Sequence, residues 1–395
     1  MVIGHAAEAS ERRFLCAVFL LALLLRAAVA VGTYLALPYG FFTPDEVGYT
    51  HFGAQLAGSS LGSPLDAVRR VEVWLYLNAV AISVVGSGAE LLIRLVNCAV
   101  GSLVPVLCYK LAARIGTTGT ARLAAMLTAG FPSIVLWSSL NLKDAEAHVL
   151  VLGVLLLALR LQRRLTARDA IAIALMVAVA STLRWYLLLP LGGGVLLAQL
   201  VAGRRASARL AFAGAGASLL AAGMLLGVPR AASWYLLTAD LGTLTTLRSG
   251  FVYGAQSAFL AAPQVHTPLE LVRFIPVGLA YFLLGPFPWV SGSVLQELTA
   301  PEMLVYYSLI PFTGLGIREA LATRAAAALP PLAFAGLLAV AYSTTIANFG
   351  TVFRLRDQLM VVMLCFAAIG LRRYVTRSTG GGQARPATAA AGGRS

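Results

Sequence analysis

The sequence predicts an all-α, polytopic integral membrane protein of about ten transmembrane helices, with further helices lying in the outer membrane interface. Three observations predict it. The 395 residues are 59% hydrophobic and only 12% charged, about half the charged share of a soluble domain, so most of the surface must face lipid. Apolar runs long enough to cross a bilayer recur along the chain. Arginines then cluster in short connections between these runs, which is the pattern of cytoplasmic loops. The net charge of +14 therefore belongs to membrane topology, and a nucleic-acid stripe is not indicated.

Taken in order, the apolar runs place spans at 14–37, 89–112, 121–140, 147–160, 168–185, 187–203, 207–228, 302–317, 325–346 and 357–371. The first run is too long for a signal-peptide core and has no small-residue cleavage site, so it is a retained helix. Every second connection is basic, for example Lys110–Arg122, Arg160–Arg168, Arg204–Arg209 and Arg318–Arg324. That puts both termini in the cytoplasm of an inner (plasma) membrane protein. Two further apolar stretches, 74–85 and 271–289, must begin and end outside. They read as interface helices, with Trp74, Tyr76, Phe287 and Trp289 at headgroup level. Residues 1–377 thus form one transmembrane domain with outer loops 38–88, 141–146 and 229–301, and 378–395 form a disordered Gly/Ala-rich tail. The four cysteines, Cys16, Cys98, Cys108 and Cys365, fall within apolar runs and read as small buried hydrophobes.

The acids go the other way. Asp45, Glu46, Asp66, Glu72, Glu90, Asp144, Glu146, Asp240, Glu270, Glu297, Glu302 and Asp357 map outside, against Glu8, Glu11, Asp169 and Glu319 inside. Acids follow no strong topology rule, so the asymmetry points to chemistry at the outer face. The stretch FFTPDEVGYT places Asp45 and Glu46 behind Pro44, followed by Tyr49 and His51. One acid could cap the helix that starts there; two adjacent acids leave one for general-base work or metal ligation.

The stretch NLKDAEAHV holds Lys143, Asp144, Glu146 and His148. Asp144 and His148 are one helical turn apart, and Lys143 can orient a carboxylate or contact a phosphate. A divalent metal could be drawn from Asp144, Glu146 and His148, or from Asp45, Glu146 and His148, although neither set has HExxH spacing or a cysteine set. No other cofactor is indicated. In NFGTVFRLRDQ, Arg354 and Arg356 stand at an outer helix mouth beside Asp357. Outer arginines run against the positive-inside tendency, and their guanidinium forks suit phosphate oxygens. Arg184 and Arg248 join that set. Arg26 differs, being in mid-span, and should face the protein interior with a partner.

The acid pair after a first helix, the interface helix and span over 79–116, FPSIVLWSSLNLKDAE at 131–146 and the looser FRLRDQ together resemble the GT-C superfamily of polytopic glycosyltransferases. The likeness is to the branch containing protein O-mannosyltransferases and lipid A aminoarabinose transferases. It implies a GT-C-like fold and transfer of a sugar from a polyprenyl-phosphate donor to a glycan, lipid or protein acceptor at the outer face. It also implies Asp45 as catalytic base, Glu46 as its neighbour and Asp144 as the second-loop acid. The chain departs from that branch in having RRVEVWLY in place of a Lys/His-Pro-Pro motif, so Arg69 or Arg70 would contact the donor phosphate. It is also short and has no soluble C-terminal domain. Two other classes compete: an outer-face polysaccharide polymerase or ligase, marked by outer arginines, and a lipid-linked saccharide transporter, marked by internal repeats and midplane charges.

Overall fold

The computed structural model describes residues 2–58, 73–202, 241–252, 257–260, 265, 267–290 and 294–380. Nearly all of them are helical, and no strand forms among them. The expected span 207–228, residues 59–72 of the loop 38–88 with the Arg69–Arg70 pair, parts of the loop 229–301 and the tail from 381 lie outside the described residues, whereas 378–380, expected in the disordered tail, continue the last helix.

The helices are α1 (Val2–Ala36), α2 (Asp45–Gly58), α3 (Val73–Val85), α4 (Ala89–Gly101), α5 (Leu103–Ile115), α6 (Thr118–Gly130), α7 (Pro132–Trp137), α8 (Asp144–Arg163), α9 (Ala167–Leu183), α10 (Leu188–Val201), α11 (Leu241–Val252), α12 (Pro268–Leu284), α13 (Val294–Thr345), α14 (Phe349–Leu355) and α15 (Asp357–Gly380). Among the described residues, four segments are long and apolar enough to cross a membrane: Glu8–Ala36, Ala89–Ile115, Gln296–Thr345 and Asp357–Arg377.

The third of these cannot be one crossing. Fifty residues of helix are about 75 Å long, more than twice the ~30 Å of a hydrocarbon core. The backbone leaves helical geometry at Arg324 (φ −144°, ψ 45°), and the packing shows that the chain reverses there. Along the first leg, Met303 meets Arg356 and Glu319 pairs with Arg373, so the two chains run parallel. After Arg324 the order inverts, and Tyr342 returns to Gln358. Arg324 donates to the carbonyls of Ala113 and Arg114, both at 3.2 Å, which secures the turn. The expected spans 302–317 and 325–346 therefore fall one on each leg. The first leg and α15 approach through Gly316 and Gly370, where a methyl group would strike the opposite backbone; small residues at such crossings let helices pack by backbone contact.

A second break matters more for the site. The expected span 121–140 is interrupted at Phe131, which is extended (φ −69°, ψ 121°). Pro132 is the cause: its ring excludes the helical conformation from the residue before it, and it lacks the N–H that would continue the ladder. The chain restarts as the short helix α7.

Two sequence expectations are corrected here. Trp74 is not at a surface; it is buried with Ile93 and Leu183, since α3 packs back onto α4 and α9. Cys16 is exposed on the apolar flank of α1, whereas Cys98, Cys108 and Cys365 are buried, and all four are free thiols.

Candidate functional site

Asp45 and Glu46 open α2, and one residue of sequence separates their environments completely. Glu46 is buried and forked by Arg94, with Nε to Oε1 at 3.1 Å and Nη2 to Oε2 at 2.9 Å. The Asn141 N–H adds a third bond to Oε1 at 2.8 Å. Burial pushes the Glu46 carboxyl above its usual range, and the Asn141 N–H and Arg94 pull it back. Around this pair the Asn141 amide donates to Asn78 Oδ1 at 2.8 Å, and Asn97 donates to the Leu140 and Leu142 carbonyls at 2.6 and 2.7 Å. The turn between α7 and α8 is thus held from three helices. Glu46 is a lock that fixes this turn against α2.

Asp45 faces the other way. Its side chain is 47% exposed and takes a bond from Arg354 Nη1 at 2.5 Å. Arg354 Nε reaches Asp144 Oδ2 at 2.9 Å, and Asp144 Oδ1 takes Arg184 Nη2 at 2.6 Å. Arg184 continues to the Tyr186 hydroxyl at 2.5 Å. The result is an alternating chain, Asp45–Arg354–Asp144–Arg184, with two positive and two negative charges. Burial works against the Arg354 charge, but Asp144 and Asp45 more than offset it and hold its pKa above the ordinary value.

Three members of this chain, Asp45, Arg354 and Arg184, line a cavity of about 1100 Å³ together with Tyr49 and Tyr186. Its lining also takes in Leu25 and Val29 on α1, Val135 and Leu136 on α7, and Glu302 on α13. Leu25 and Val29 are one helical turn apart, so the cavity borders α1 over about 6 Å. The helix break at Phe131 opens this space: Gly130, Pro132 and Ser133 form its wall.

The remaining sequence candidates are placed as follows. Arg356 is tied to the Leu283 and Gly285 carbonyls and Met303, with its guanidinium 4.6 Å from the Tyr306 ring. It anchors the end of α12 and is not among the residues lining the cavity. Arg248 donates to the Ile346 and Leu260 carbonyls beneath Phe274, and burial lowers its pKa to about 10. Lys143 lies 5.2 Å from the Tyr49 ring, and His51 is exposed beside Gln55. Arg26 is interior as expected, but its partners are the Ser138 hydroxyl at 2.8 Å and the Ala22 and Ala129 carbonyls, with no acid among the described residues.

The metal sets are not assembled. Among the described residues no three His, Cys, Asp or Glu side chains are grouped to hold a metal ion. Asp144 has one arginine on each oxygen, and both ring nitrogens of buried His148 have no hydrogen-bond partner among the described residues.

Sequence reasoning missed Arg94, Asn141, Ser133, Tyr186 and Glu302 as site components. Arg94 carried the same signal as Arg26, a charge inside an apolar helix. A scan against protein-family models and a search of curated proteins found no match to the chain.

Proposed function

We propose that this protein is a membrane-bound glycosyltransferase of GT-C-like architecture, with about ten spans, cytoplasmic termini and its cavity at the outer face of the inner (plasma) membrane. It moves a sugar from a polyprenyl-phosphate donor to an acceptor hydroxyl. The observation that carries the reading is one half-exposed carboxylate, Asp45, held by arginine in a cavity whose lining divides between charged groups and apolar side chains. That division matches a donor with a lipid tail, a phosphate at the headgroup plane and a sugar between them.

In this reading Asp45 removes the acceptor's proton, and the acceptor oxygen attacks the anomeric carbon as the bond to phosphate oxygen breaks, giving inversion. The leaving polyprenyl phosphate takes the bonding electrons. Arg354 and Arg184 stabilise it, since charge-assisted bonds aimed at developing negative charge act most strongly where water is excluded. The Nε of Arg184, buried and without a partner among the described residues, is a donor already in place.

The test is incubation of purified protein with a panel of polyprenyl-phosphate sugars, following release of polyprenyl phosphate. No release with any donor would remove the transferase and leave a polymerase, ligase or transporter to be tried. The outer placement is checked separately in a background without the native cysteines. A cysteine at exposed Ala54 should label with an impermeant thiol reagent applied outside, and one at exposed Thr166 should not.

A further inference from the structure

The charged groups in and around the cavity fall into clusters whose charges can be compared. Asp45, Arg354, Asp144 and Arg184 balance each other, and so do Glu46 and Arg94. A third cluster does not balance. Glu302 on α13 lines the cavity, and Asp357 stands at the start of α15; both are buried. Ser133 joins them. Its hydroxyl donates to Asp357 Oδ1 at 2.7 Å, and Ser133 also stands beside the Glu302 carboxyl. The other Asp357 oxygen, Oδ2, is buried with no hydrogen-bond partner among the described residues.

The charged groups around the pair are few. Arg356 is near both carboxyls, but its donors go to the Leu283 and Gly285 carbonyls and Met303 and its face to Tyr306. Asp144 on α8 adds a further negative charge, already held by its own arginines. Neither Glu302 nor Asp357 forms an ion pair among the described residues. Two ionised carboxylates here would leave one charge uncompensated in a water-poor wall. Like charges sharing a site retain a proton between them, and one proton restores neutrality with Arg356.

We propose that Glu302 and Asp357 form a second polar subsite in the cavity wall that holds one proton between them and binds the hydroxyl groups of a sugar. Glu302 meets the ligand; Asp357, acting through Ser133 and Glu302, is a positioning residue. A pair with one proton offers a donor beside several acceptors, which suits neutral hydroxyls. It repels phosphate, which is left to Arg354 and Arg184. The choice of a sugar as ligand rests on the glycosyltransferase reading, whereas the shared proton does not.

Infrared spectroscopy of the full-length protein, titrated with pH, tests the proton. The wild type should show, beside any band from other buried acids such as Glu146, a protonated-carboxyl component at neutral pH that is lost in both Glu302→Gln and Asp357→Asn, because removing either charge lets the other group ionise beside Arg356. Melting temperatures of the two amide variants verify that both are folded. Protonated-carboxyl intensity in either folded variant equal to that of the wild type overturns the sharing. Methyl hexosides and pentosides test the ligand: they should quench tryptophan emission saturably, Trp137 being in the cavity wall, and bind roughly ten- to a hundred-fold more weakly to Glu302→Gln. No saturable quenching overturns the subsite. So does a magnesium-induced rise in melting temperature that vanishes in Glu302→Gln, since it would make the pair a cation site. If no polyprenyl-phosphate sugar is turned over while both expected results hold, the transferase reading fails and the carboxyl pair stands.

Discussion

Asp45 and Glu46 are neighbours in the chain and opposites in the structure. Glu46 is buried, and its two oxygens accept three bonds, from Arg94 and the Asn141 N–H. Asp45 is half exposed on a cavity and takes a single arginine donor. The difference teaches that charge at a helix start is not one kind of thing. A carboxylate whose lone pairs are filled by buried donors fixes structure, and one with an open oxygen can still accept a proton.

The largest effect should come from Asp45→Asn. Loss of a general base costs roughly 10²–10⁴ in rate, while Arg354 keeps Asp144 and the fold keeps its melting temperature. Near-normal release of polyprenyl phosphate by this variant would erase the contrast between the two acids.

Glu46→Ala should do the reverse. It strands Arg94 as an unpaired buried charge, which costs about 3–5 kcal/mol of stability, read as a lower denaturation midpoint or poor yield. Protein that survives should retain turnover. A stable but inactive Glu46→Ala protein would move this residue from the lock to the chemistry.

Two arginines extend the comparison. Arg354 belongs to the cavity and Arg356 to the α12 anchor. Arg354→Lys cannot reproduce a fork shared between Asp45 and Asp144, and donor titrations should weaken roughly ten- to a hundred-fold. Arg356→Lys should lower thermal stability and leave the donor titration unchanged. Equal donor defects in both would mean that the anchor also reaches the substrate.

The smallest effect concerns pH. Burial raises the Glu46 pKa in the folded protein, so the native state binds this proton more readily than the unfolded chain. Its contribution to stability is therefore fully present below the ordinary glutamate pKa and declines as pH rises through the shifted one. The slope is at most about 1.4 kcal/mol per pH unit. Across mildly acid pH, the denaturation midpoints of the wild type and Glu46→Gln should differ in their pH dependence by this slope.

Residues that announce themselves locally were legible in the sequence. FFTPDEVGYT exposed the acid pair, NLKDAE exposed Asp144, and FRLRDQ exposed Arg354, because each puts a charge where an apolar run ends. What could not be read is who meets whom. Arg354 reaches Asp45 across 309 positions and Asp144 across 210, and Ser133 reaches Asp357 across 224. Such pairs leave no periodic trace in a single sequence. The same limit hid the division of labour between Asp45 and Glu46, which depends on Arg94 and Asn141. It also hid that Arg356, two residues from Arg354, serves α12. The all-helical character followed from composition, and among the described residues four helices of spanning length are present. The Pro132 break lay in plain view in the sequence, but that it opens the cavity depends on α1 and α13 standing beside it.

That break also bears on how the chain is made. Pro132 offers no N–H to the last turn of α6, and it is Arg26 that reaches the Ala129 carbonyl there and spans the gap to Ser138. Arg26 and Ser138 are 112 residues apart, which at 5–20 residues per second is on the order of ten seconds of synthesis. Until then α1 carries a guanidinium with no partner on α7, and α6 has no arginine at its broken end. The first helix of the protein is thus a segment that cannot settle in hydrocarbon before the fourth part of its own chain has followed it.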